Sequence, residues 1–146
     1  MPGRKHPETC VVGVHGAGNT RFELLQHAPL VSDFSVLLFD LRSRGGSDSD
    51  SLGFGFREHV DVTAAVAYLR REWQCSRVVA VGMSAGGAAV LLAANGSEPI
   101  DGVVVVSTFA NFRDLLQEKL DDFKHIEGSE AVWRVQKFLG PVVAKG

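Results

Sequence analysis

The sequence of 146 residues is poor in cysteine and almost balanced in charge. Cys10 and Cys75 are its two cysteines, they lie far apart, and neither stands in a CxxC spacing. The sequence therefore predicts no disulfide framework and no cysteine metal site. The net charge is −2, which gives no electrostatic reason to expect nucleic acid or an anionic membrane as a partner.

Long hydrophobic runs are also missing. Residues 1–10 lack the apolar core of a signal peptide. The one membrane-like run, residues 78–94, is shorter than the roughly 20 residues that a span needs and contains three glycines. We therefore expect a cytoplasmic protein in a reducing compartment, with no membrane partner.

The composition is that of one globular domain. Hydrophobic residues make up 45% of the chain and charged residues 22%, both ordinary for a soluble fold. No repeat, low-complexity segment or linker interrupts it, so residues 1–146 are expected to form a single domain.

Strand and helix patterns alternate along the chain. Bounded apolar segments predict strands over 9–16, 34–40, 77–82 and 101–109. Helical patterns lie over 21–31, 57–73 and 84–95, and an amphipathic tail follows over 111–146. This alternation predicts an α/β fold with a mostly parallel central sheet of about four strands and helices on both faces.

Apolar spacing identifies the helix faces that should be buried. In the helix over 57–73 the recurring apolar residues are Val62, Val66, Leu69 and Trp73. In the helix over 21–31, Phe22, Leu24 and Leu25 are predicted on the buried side, and Pro29 lies close to the end.

The motif "VGMSAGG" places Ser84 where a strand gives way to a helix. A serine in such a sharp turn needs small residues two positions away on each side, and Gly82 and Gly86 provide them. The turn would raise the hydroxyl above the carboxyl edge of the sheet and aim the Ala85 N–H at an oxyanion. The alternative is a glycine-rich turn with an N-capping serine, but a strand before, a helix after and both glycines favour a nucleophile.

Three motifs in this order, "VVGVHGAG", "FDLRSRGGS" and "VGMSAGG", resemble the α/β-hydrolase superfamily, particularly its serine peptidase and esterase branches. The resemblance covers about residues 9–120, and Ser43 stands where the family loop has its first glycine. It implies a partial α/β-hydrolase fold and a serine hydrolase that cleaves ester or amide bonds of a small molecule through an acyl-enzyme at Ser84. It also implies an oxyanion hole of the Ala17 and Ala85 N–H groups, and no metal or organic cofactor.

The resemblance stops before the catalytic acid and base of the family. Those residues normally follow the next two strands, which this sequence is not expected to contain, so the resemblance implies only the central part of the fold. His125 follows Ser84 in the expected order, but an exposed histidine in a polar connection is the simpler interpretation. Asp114 fits either an acid placed after the fourth strand or a carboxylate at a helix N-terminus.

Nucleotide binding is an alternative from another class. "GAGNTR" begins a GxGxx pattern after the first strand, and Asp40 and Arg42 stand about where ribose and 2′-phosphate contacts would lie. Arg21, however, occupies the third glycine position, and this alternative leaves "VGMSAGG" unexplained. A structural role, in which Asp40 and Arg42 tie the strand end to neighbouring loops, is the favoured hypothesis.

A third alternative is a non-catalytic fragment or pseudoenzyme that acts by protein association. A parallel sheet without its flanking strands has uncovered apolar edges, which invite pairing with another chain. The strand over 103–106 is predicted to be such an edge, so self-association is expected under this alternative.

Overall fold

The computed structural model describes residues 5–111 and 113–117 of the chain. The chain divides after Thr108 into two units, which are described separately. The elements of the first unit are β1 His6–Val14, α1 Phe22–Leu25, a 3-10 helix Ala28–Val31, β2 Phe34–Leu38, α2 His59–Glu72, β3 Arg77–Met83, α3 Ala85–Ala93 and β4 Gly102–Val106.

The four strands form one sheet in the order β2-β1-β3-β4, and every neighbouring pair is parallel. The chain first moves outward from β1 to β2 and then crosses back to β3 and β4. Because connections between parallel strands are right-handed, this reversal puts α1 on one face and α2 and α3 on the other. The predicted α/β fold with helices on both faces is confirmed.

One face of the sheet forms the core with α2 and α3. Alternate residues of β1 and β3 point to this face, since side chains in a strand alternate between faces. The helix residues predicted from spacing meet them, and Val62, Val66 and Leu69 are fully buried. The main members of this core are Cys10, Val12, Val14, Leu41, Val62, Val66, Leu69, Cys75, Val78, Ala80, Ala89 and Val90.

The opposite face is covered by α1 and the 3-10 helix. The predicted helix over 21–31 is thus split, and of the three residues predicted on its buried side only Leu24 is buried, at 6% exposure. Phe22 is 68% exposed and Leu25 42%, so that part of the prediction is wrong. At about 100° per residue, Phe22 and Leu25 lie on one side of the helix and Leu24 on the other. A helix of four residues cannot turn all three towards the sheet.

Within the described residues, the strand β4 stands at the edge of the sheet, as expected. Its valines are exposed on both faces, from 37% at Val103 to 49% at Val104. Beside it, an apolar groove of about 340 Å³ runs between the sheet and the 3-10 helix, with Val81, Val104 and Leu30 among its walls.

Cys10 and Cys75 form a disulfide, so the prediction that the chain has no disulfide framework is wrong. The two residues are 65 positions apart in sequence, but their Cα atoms are 5.9 Å apart. The pairing of β1 with β3 explains this closeness, since Cys10 lies opposite Val78 and Cys75 lies two residues before the start of β3. A separation of 5.9 Å lies within the range that disulfides require.

In the second unit, residues 113–117 are helical, which agrees with the start of the predicted tail. The Asn111 side chain accepts the Asp114 N–H at 2.8 Å and so caps this helix, an arrangement that favours the helix-terminus interpretation of Asp114. His125 and the remainder of the tail lie outside the described residues. Among the described residues, no helix has both the length and the apolar character to cross a bilayer.

Candidate active site

The predicted nucleophile lies at the reversal point of the sheet. The connection after β1 leads to one side and the connection after β3 to the other, which opens a crevice at the carboxyl ends of these two adjacent strands. The loop after β1 begins with His15 and Gly16, and Ser84 follows β3. A Cβ placed on Gly16 would lie 3.4 Å from the Cβ of Ser84, so the His-Gly turn lies against the serine.

The backbone of Ser84 has the strained geometry of a sharp strand-to-helix turn, with φ 50° and ψ −119°. A side chain at Gly82 would approach the Gly86 carbonyl oxygen and the Gly87 Cα at 2.6 Å. A side chain at Gly86 would collide with the carbonyl oxygens of Val14 and His15. Both positions therefore require glycine, because no other residue lets β1, β3 and α3 approach so closely.

The two alanines of the expected oxyanion hole are brought together. Ala85 is the first residue of α3, so its N–H has no acceptor inside the helix. Ala17 continues the turn that begins at His15. Ala17 and Ala85 both border an apolar cavity of about 10 Å³. The two loops that carry the expected donors thus lie close together.

His15 holds this turn in place and is fully buried. Its Nδ1 lies 2.8 Å from the Gly16 carbonyl oxygen, and its Nε2 accepts the Leu41 N–H at 3.0 Å. A carbonyl only accepts and an N–H only donates, so the ring carries its proton on Nδ1 and is neutral. Both nitrogens are used by the backbone, which leaves His15 no free atom to act as a base for Ser84.

Glu23 is a second support of the turn that sequence reasoning did not identify. Its carboxylate accepts the Gly16 N–H at 2.7 Å and also bonds to the Asn19 side chain. The only sequence signal is an acidic residue in the first turn of α1, where acidic residues are common for helix-dipole reasons alone.

Asp40 joins three segments at the end of β2. Its carboxylate accepts the N–H of Arg21 at 2.8 Å and that of Gly46 at 3.0 Å, and it ion-pairs with the Arg21 guanidinium. Burial acts to raise the pKa of Asp40, but these donors outweigh it and hold the pKa below its ordinary value. Because both oxygens are already used by the chain, the geometry disfavours a ribose-binding role.

Arg42 has the structural role expected of it. It donates to Asp61 at 2.7 Å and to Asp50 at 2.8 Å, and mainly the bond to Asp61 raises the pKa of Arg42 above its ordinary value. Ser43, which replaces the family glycine, has φ 60°. This left-handed conformation explains why glycine suits that position.

The remaining candidate bases lie elsewhere. His59 Nδ1 bonds to the Phe56 carbonyl, and His27 lines the apolar groove. Within residues 5–111 and 113–117, no hydrogen bond joins the Ser84 hydroxyl to a histidine or a carboxylate, and no cluster of three metal-ligating residues is present. His125, the candidate from chain order, lies outside this range.

Solved structures with the same fold include several hydrolases. An esterase from Pyrococcus furiosus superposes with a TM-score of 0.74 at 20% identity, over 90% of this chain and 53% of its own. A lipase-esterase related protein from Clostridium acetobutylicum gives 0.66 at 19% identity, over 93% and 62%. The bottromycin epimerase BotH gives 0.64 at 23% identity, over 93% and 53%, so the shared fold does not by itself fix the reaction.

The chain spans little more than half the length of these structures. The comparison with curated proteins finds no match. A family model described as "Alpha/beta hydrolase family" matches residues 11–145, which is nearly the whole sequence. The chain therefore belongs to the alpha/beta hydrolase family.

Proposed function

We propose that this protein is a serine hydrolase that cleaves ester or amide bonds of a small molecule through an acyl-enzyme at Ser84. The observation that carries the proposal is the strained turn at Ser84, with φ 50° between β3 and α3. A turn of this kind costs stability and persists where the surrounding structure enforces it, as it does at functional sites. Its place at the crevice of the sheet and beside the His-Gly turn adds support.

In the proposed reaction, the Ser84 Oγ attacks the carbonyl carbon of the substrate as a base removes its proton. The oxyanion of the tetrahedral intermediate accepts hydrogen bonds from the Ala17 and Ala85 N–H groups, and the N-terminus of α3 adds a favourable dipole. The intermediate collapses, the alcohol or amine leaves with a proton, and water then hydrolyses the acyl-serine. The chemistry requires no metal or organic cofactor.

The base and the acid lie outside the described residues under this proposal. His15 is excluded because both of its nitrogens are used by backbone groups. His125 is the candidate that chain order offers. Without a base, the oxyanion hole and binding alone leave a residual acceleration of about 10³–10⁴-fold over water.

Labelling with a fluorophosphonate probe tests the proposal. We expect the wild-type protein to be labelled and Ser84→Ala to be inert, whereas Ser32→Ala, at an exposed serine of the same chain, should label as the wild type does. His125→Ala then shows whether that histidine is the base. Equal labelling of wild type and Ser84→Ala, or none of a folded wild type, would refute the proposal.

A second candidate function is self-association without catalysis. It is favoured by the valines of β4, each of which is 37–49% exposed at the edge of the sheet. We expect a concentration-dependent dimer in sedimentation or light scattering, and its loss in Val104→Lys. A monomer at every concentration would contradict this function.

The cytoplasmic location stays a prediction, and the Cys10–Cys75 disulfide weighs against it. Disulfides persist mainly in oxidising compartments.

A further inference from the structure

We propose that Thr108 is a positioning residue for the nucleophile, which it holds in its reactive conformation through the Ser84 carbonyl. The inference rests on the proposed function, since it concerns how Ser84 is presented to a substrate. Its basis is a hydrogen bond in which the Thr108 Oγ1 donates to the Ser84 carbonyl oxygen at 2.6 Å. Thr108 lies two residues beyond the end of β4 and 24 residues from Ser84 in sequence.

The segment that follows β3 is held on both sides of Ser84. The Ser84 N–H donates to the Val106 carbonyl oxygen at 2.9 Å, and the Ser84 carbonyl accepts the Thr108 hydroxyl. The N–H belongs to the peptide plane before the Ser84 Cα, and the carbonyl belongs to the plane after it. Fixing both planes fixes φ and ψ of Ser84 together, because these angles relate the two planes through one atom.

The second contact also explains an otherwise unneeded glycine. The turn at Ser84 requires glycine at 82 and 86, but the sequence has a further one at 87. A Cβ placed on Gly87 would collide with the Thr108 Oγ1 and lie 3.0 Å from its Cβ. Gly87 therefore leaves the space that the Thr108 side chain occupies when it bonds to Ser84, so the two residues act as a pair.

Loss of this hydrogen bond should change reactivity more than folding. A serine at φ 50° adopts a conformation that L-residues disfavour, so it relaxes where its restraints are removed. The Ala88 N–H also bonds to the Ser84 carbonyl, at 3.2 Å, and this helix contact would remain. The hydroxyl would then be displaced from the position that the turn gives it, and small displacements of reacting groups slow catalysis strongly.

The test compares Thr108→Val and Thr108→Ala, which remove the donor, with Thr108→Ser, which retains it. The matched control is Thr63→Val, because the Thr63 hydroxyl makes a comparable bond to the His59 carbonyl within α2. We expect fluorophosphonate labelling of Ser84 to slow about 10- to 100-fold in the Val and Ala variants. Thr108→Ser and Thr63→Val should stay within about 3-fold of wild type.

Amide hydrogen exchange gives a readout that does not depend on activity. The Ser84 N–H should exchange at least about 10-fold faster in Thr108→Val than in Thr63→Val, since its strand-end bond loosens with the turn. If wild type is labelled but the Val and Ala variants label at the same rate, the inference is wrong although the proposed function stands. If wild type is not labelled, the proposed function fails, and hydrogen exchange then tests the inference by itself. Faster exchange at Ser84 in Thr108→Val supports the positioning role of Thr108, and unchanged exchange overturns it.

Discussion

The two faces of the sheet differ in how completely they are covered. On one face, α2 and α3 pack against alternate residues of β1 and β3, and Val12, Val14 and Val78 are fully buried. On the other face, α1 and the 3-10 helix lie beside an apolar groove of about 340 Å³. There Val104 and Val106 are 49% and 45% exposed.

This difference separates the residues that stabilise the fold from those that do not. Buried apolar area contributes roughly 25 cal/mol per Å². The side chains whose truncation would lower stability most therefore lie on the face packed by α2 and α3, which we call the covered face. The face with the groove is called the open face. The covered face also contains the Cys10–Cys75 disulfide, and both sulfurs belong to the same core cluster. Substitutions on the covered face should therefore lower stability much more than those on the open face.

The largest effect is expected from removal of the disulfide. It closes a loop of 65 residues, and such a loop is worth about 4 kcal/mol in the chain-entropy account. For a protein of this size that free energy corresponds to a Tm lower by on the order of 10 °C. Thermal unfolding with and without a thiol reductant measures the difference.

The double variant Cys10→Ala/Cys75→Ala is the control for this measurement. Its Tm should not respond to the reductant, and it should lie near that of the reduced wild type. If the Tm of the wild type is also insensitive to reductant, the two thiols are not paired in solution, and the disulfide contributes nothing to the stability of the covered face.

A smaller effect on stability is expected from single substitutions, and it should differ between Leu69 on the covered face and Phe22 on the open face. Leu69→Ala should lower the free energy of unfolding by about 3 kcal/mol, because Leu69 is fully buried between α2 and the sheet. Phe22→Ala should change it by less than about 0.5 kcal/mol, since the ring is 68% exposed. Urea unfolding of the two variants measures both values, and equal losses would contradict the distinction between the faces.

The covered face was also the easier one to predict. The helix α2 spans 14 residues, long enough for its apolar spacing to mark the buried side. The turn at Ser84 was predictable because its steric demand fixes glycine at two positions close by in sequence. The parallel sheet with helices on both faces followed from the alternation of strands and helices.

What the sequence did not reveal depends on contacts between distant segments. The disulfide joins residues 65 positions apart, and the Thr108 hydroxyl reaches Ser84 across 24 positions. Contacts between residues so far apart produce no pattern in the local sequence. The prediction of the buried side of α1 failed for another reason. The helix has four residues, which are too few for apolar spacing to distinguish one face from the other.

The smallest effect is expected at Asp40, which links Arg21, at the start of α1 on the open face, to the Gly46 loop. The pKa of Asp40 lies below its ordinary value in the folded protein, so its ionised form contributes stability above the ordinary pKa and loses it as the pH falls through the lowered pKa. Asp40→Asn should cost about 1 kcal/mol at pH 7, and urea unfolding at pH 7, 5 and 3 should show the difference from wild type shrinking towards pH 3. A difference that is the same at all three pH values would mean that the shape of the side chain, not its charge, joins the two loops.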